Sequence, residues 1–174
     1  MHRSTSSSGL TSRTAPCGDT ITERETDAQF DTFERHVLTL ARLFMLTFHR
    51  PEMQTWVQAF EHAEALFGPV AGPVINKAVL AVVEQTRDTR GSGFAYCDPY
   101  CPHCRPFLTN EERYLITVLH LLRRGRNNEA ALQAMLLCEG SDTTAVMDRF
   151  HVLVQRANGF DVFAPGYPQS NISR

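Results

Sequence analysis

The stretch Asp27 to Phe48 reads DAQFDTFERHVLTLARLFMLTF, and its reading decides the fold class. Phe30, Phe33, Val37, Leu40, Ala41, Phe44 and Phe48 recur there at spacings of three and four, which lines one broad face of an α-helix. Pro51 stops or restarts this helix, because proline has no N–H to donate and clashes with the preceding turn. A second helix is predicted from Glu52 to Phe67, with Met53, Trp56, Val57, Phe60, Ala63 and Phe67 on one side, Trp56 as a core anchor and Gly68-Pro69 as the terminator. A third runs from about Val70 to Arg87. Its valines favour strand, but Val74, Ala78, Val79, Val82 and Val83 keep the helical period over a length no single strand needs.

The C-terminal half continues the pattern. Thr109 and Glu112 have the spacing of a capping box and open a helix through Leu115, Val118, Leu119 and Leu122 that ends near Gly125. Asn127 or Asn128 can cap a short helix to about Glu139, which Gly140 ends. Ser141 can cap a last one carrying Ala145, Val146, Phe150, Leu153 and Val154. The expected fold is all-α, a single helical domain of about five to seven helices with a Cys-rich metal-binding loop. With 174 residues, 43% hydrophobic and 21% charged, the chain is long enough for one such core. Residues 1–26, rich in Ser, Thr, Arg, Gly and Pro, read as a disordered or loosely packed tail. Residues 27–157 form the helical domain with the Cys-rich loop at 88–108, and 158–174 read as a C-terminal tail whose Phe160, Val162 and Phe163 pack on the body.

The loop holds the most specific chemistry. Cys97, Cys101 and Cys104 stand as Cys-x3-Cys-x2-Cys within Cys97-Asp-Pro-Tyr-Cys101-Pro-His-Cys104. Zinc takes four tetrahedral ligands, and a short Cys-x2-Cys turn aims two sulfurs at one point. Cys138 is the preferred fourth ligand, then His120, with His103 and His151 as further candidates. Each also has a plainer reading. Cys138 follows Met135, Leu136 and Leu137 and can be a small buried hydrophobe, His120 a core-edge histidine, and His103 a solvent-facing one. Cys17, in the polar tail, reads as an incidental thiol. An iron–sulfur cluster on the same cysteines is the alternative cofactor.

Two resemblances attach to this cluster. Cys101-Pro-His-Cys104 resembles the redox dithiol of periplasmic disulfide oxidases on the thioredoxin fold, which implies a reactive first cysteine. The Cys97, Cys101, Cys104 spacing is similar to the cluster-binding triplet of radical S-adenosylmethionine enzymes, which implies three thiolates on an iron–sulfur cluster. The first fold needs a strand entering the motif and a helix leaving it, and the second a long α/β barrel. Here Arg90 to Phe94 follow a helix and Pro106 lies just beyond, so neither family is assigned.

Charge excludes little. With 17 Lys+Arg against 19 Asp+Glu the formal net charge is −2, so no global field favours nucleic acid or an acidic membrane. Arg105, Arg113, Arg123, Arg124 and Arg126 form a local basic patch for a nucleic-acid contact, and Thr109 to Arg156 invite comparison with a helix-turn-helix reader. Asp142 and Asp148 on the last helix repel phosphates. No Walker loop, Gly-x-Gly-x-x-Gly, His-Glu-x-x-His or Gly-x-Ser-x-Gly is present, although scattered residues of a bundle can still form a catalytic site. No apolar block follows the basic residues of the start, and no run approaches the ~18 residues of a membrane span, so a cytoplasmic protein without membrane contact is expected. These features point to a non-enzymatic regulatory or adaptor protein with a structural Cys-ligated zinc, acting on a protein partner. The alternative is a redox-responsive protein using the same cysteines for an iron–sulfur cluster or a reversible disulfide.

Overall fold

A computed structural model describes residues 21–158 and shows a mostly helical chain. Its elements in order are β1 (Ile21–Arg24), α1 (Thr32–His49), a single 3-10 turn (Pro51–Met53), α2 (Thr55–Thr89), β2 (Phe107–Thr109), α3 (Asn110–Arg123), α4 (Asn127–Leu137) and α5 (Thr144–Arg156). The strands pair antiparallel, with an irregularity between Ile21 and Glu23. Residues 21–24 therefore belong to the folded body, although their polar composition reads as tail. Backbone pairing, which composition does not encode, holds them there. Cys17, the N-terminal tail through residue 20 and the Phe160, Val162 and Phe163 segment lie outside the described residues.

Capping chemistry sets where the helices begin. Asp31 accepts the Glu34 N–H at 2.9 Å while Glu34 Oε2 accepts the Asp31 N–H at 2.9 Å, a complete capping box at the start of α1. Thr109 and Glu112 form the predicted second box at the start of α3, their two hydrogen bonds 3.1 and 3.0 Å long. At α5 the helix opens at Thr144 rather than beside Ser141, and Asp142 Oδ1 accepts the Thr144 N–H at 3.0 Å.

α1 is the central helix: every residue from Leu40 to Leu46 is buried, Arg42 included. α2 packs on α1 and α5, and α3 packs on α4. As Gly68-Pro69 foretells, α2 breaks at Gly68, whose φ of 83° suits glycine, so residues 55–67 and 69–89 are two helical segments. Across the break the segments nearly touch, since a Cβ on Gly72 would stand 2.6 Å from the Ala63 carbonyl oxygen. By length and composition α2 could cross a membrane; in this fold its Ala59, Ala63, Ile75, Ala78, Val79, Val82 and Val83 lie in the core.

Trp56 is not the core anchor its position in the apolar stripe predicts. Thr55 takes the inward position, its hydroxyl donating to the Leu43 carbonyl at 2.8 Å, and the adjacent Trp56 is rotated outward to 48% exposure.

Candidate functional site

The cysteine loop is anchored at both ends by ion pairs, a partly exposed one at its start and a buried one at its end. At its start Arg90 donates to the Leu137 carbonyl and to Glu139 Oε1 at 3.0 Å, while Glu139 Oε2 accepts the N–H groups of Gly91 and Ser92. At its end Arg42 meets Glu112 through two bonds, Nε to Oε1 at 2.6 Å and Nη2 to Oε2 at 3.0 Å. The same guanidinium donates to the carbonyls of Arg105 at 2.9 Å and Phe107 at 2.6 Å. Glu112 Oε1 also accepts the Cys97 N–H at 2.9 Å. Thr109 donates its hydroxyl to the Ala95 carbonyl at 2.9 Å. Glu25, beside β1, reaches Arg42 at 3.4 Å; burial raises its pKa, Arg42 and Arg35 oppose this, and Glu112 adds to it. One arginine of α1 thus fixes a backbone that has no periodic core face of its own.

The thiols sit inside this frame. Cys97 and Cys104 are buried, and Cys101 is half-buried. The carbonyl of Asp98 accepts the Cys101 N–H at 3.1 Å and the Cys104 thiol at 3.9 Å, which folds the loop back toward Cys97. Burial pushes the Cys97 thiol far above its usual range; Glu112 adds to the shift and Arg42 opposes it. Cys138 is elsewhere: it follows α4, is fully buried in the hydrophobic core, and feels Arg90, Asp142 and Glu139. Among the described residues no group of three or more His, Cys, Asp or Glu is placed to hold a metal ion. The structure therefore does not bring Cys97, Cys101, Cys104 and Cys138 together as a zinc site.

His120 and most of the basic patch are engaged in a second network. Glu34, fully buried, receives His120 Nδ1 at 3.0 Å, Arg123 at 3.1 Å and Arg124 at 2.7 Å, and Arg123 also reaches Asp31 at 2.6 Å. Arg126 pairs with Glu129, and Arg113 lies 4.0 Å from Glu23. His103 and His151 are exposed.

Sequence reasoning missed Arg42 as the organiser of the loop. The signal was present: a lone charge inside the run Leu40 to Leu46 has no solvent face to occupy.

Besides Val70, Val74 and Val152, two sets of large apolar side chains are exposed among the described residues. Met53, Trp56 and Tyr100 are 41%, 48% and 48% exposed; Trp56 stands edge-on to Phe60, and Tyr100 donates its hydroxyl to Gln58 of α2. The second group is Leu132, Met135 and Leu136 of α4, 61%, 51% and 52% exposed. No protein-family model matches the chain, and no curated protein or solved structure matches it.

Proposed function

We propose that this chain is a non-enzymatic adaptor of the cytoplasm that acts through protein contacts. The observation that carries the reading is the exposure of Met53, Trp56 and Tyr100, of which Tyr100 is held by the cysteine loop against Gln58 in the first turns of α2. Trp, Tyr and Met are the residue types enriched at protein interfaces, because each covers much apolar area and loses little freedom on binding. The ring of Trp56 with its indole N–H suits a partner segment that brings apolar side chains and backbone carbonyls. In this reading the loop is a bracket: Arg42 and Glu112 hold it so that Tyr100 is presented. Protein contact is favoured over nucleic acid because Arg113, Arg123, Arg124 and Arg126 already have carboxylate partners. Zinc on Cys97, Cys101 and Cys104 is a separate proposal supported by their spacing alone.

The test is photocrosslinking in cells with benzoylphenylalanine at Met53, compared with the exposed control position Glu84. A discrete adduct with a second protein, formed only from Met53 and lost with Trp56→Ala, is expected. Equal adducts from both positions, or none, would refute the reading.

A further inference from the structure

Cys101 and Cys104 stand at the two ends of one turn. The Cys101 carbonyl accepts the Arg105 N–H at 2.9 Å, a bond between residues four apart that closes a single turn of helical type. In such a turn Cα atoms three residues apart are about 5 Å from each other, inside the range of about 4.4–6.8 Å that a disulfide bridges. Pro102 follows Cys101 at the first position of the turn, where its missing N–H costs nothing and its fixed φ holds the backbone. We propose that Cys101 and Cys104 form a reversible disulfide by exchange with a small-molecule disulfide such as oxidised glutathione. This modification site stands apart from the partner contact and does not rest on it.

Exposure gives the two thiols different tasks. Cys101 is half-buried between the exposed Tyr100 and Pro102, so an incoming disulfide can reach it. Cys104 is 5% exposed, and its thiol donates to the Asp98 carbonyl at 3.9 Å. That carbonyl also accepts the Cys101 N–H at 3.1 Å, so one oxygen gathers the backbone of one cysteine and the thiol of the other. Cys97 lies before this turn with its N–H fixed on Glu112, and Cys138 is in the core behind α4. The exchange has two steps. The Cys101 thiolate attacks one sulfur of the small disulfide, whose S–S bond breaks, and one thiol leaves while the other half stays on Cys101. The Cys104 thiolate then attacks Cys101 Sγ and releases the second thiol. Two protein thiols are oxidised to one disulfide, the small disulfide is reduced to two thiols, and the two cysteine protons end on the released thiols.

Differential alkylation with peptide fragmentation tests this on the full chain, in a glutathione redox buffer containing EDTA. Cys101 and Cys104 should become protected together and be restored together by dithiothreitol, with the circular dichroism unchanged. Cys104→Ser should stop after the first step and carry one glutathione on Cys101, Cys101→Ser should lose the protection of Cys104, and Cys97→Ser should leave the pair intact. A bond from Cys97 or Cys17 to either cysteine, a wild-type glutathione adduct on Cys101 that never resolves, or oxidation seen only in denaturant would overturn the proposal.

Discussion

Arg42 and Glu112 are the residues on which the loop depends. Arg42→Met strands a carboxylate that is 2% exposed, and an orphaned buried charge costs about 3–5 kcal/mol. Chemical denaturation should show that loss, and Arg42→Met with Glu112→Leu should recover only part of it, because the Cys97 and Thr109 N–H groups would still lack an acceptor. Among the thiols at 97, 101, 104 and 138, Cys101 should be alkylated first by iodoacetamide, with Cys97 and Cys138 reacting only on unfolding, since both are buried with raised pKa values. Peptide mapping of a timed reaction reads the order. His36 supplies a pH dependence. Burial, and after it His62, lowers its pKa from 6.5. The folded state then binds fewer protons than the unfolded chain just below that pH, so the stabilisation is full above 6.5 and is lost as the pH falls through the depressed folded value. Denaturant midpoints on either side should show wild type losing more stability on acidification than His36→Asn.

Among the elements, α2 is the most constrained by its glycines. Gly68→Ala forces a side chain into a φ of 83° and should cost about 1–2 kcal/mol. Gly72→Ala presses a methyl group against the Ala63 backbone and should cost about 1–3 kcal/mol. Thermal melts of the two variants check both values, and the second should couple to Ala63. The helices were legible in the sequence because stripe period, Pro51, Gly68 and the Thr109 capping box are local signals. β1 was not, because its partner lies more than eighty residues away and its side chains carry no alternation. The outward turn of Trp56 depends on Thr55 finding the Leu43 carbonyl, a tertiary contact that periodicity does not contain.

For the whole molecule, three cysteines in eight residues suggested that an ion replaces missing core burial. The fold also ties the loop with an ion pair reached from α1 across a separation of seventy residues. A thermal melt with and without a chelator separates the two supports: an unchanged melting temperature means that the ion pairs hold the loop without metal, and a large drop, with about one zinc per chain by elemental analysis, means that the thiols gather around the ion. The glutamates of the two capping boxes have a further consequence. Glu34 starts α1 and receives Arg123 and Arg124 from the end of α3, while Glu112 starts α3 and receives Arg42 from α1. Neither helix can unwind its first turn without releasing the other. The pair should open as one cooperative unit, and amide hydrogen exchange at Glu34 and Glu112 should slow or quicken together under any condition that shifts stability.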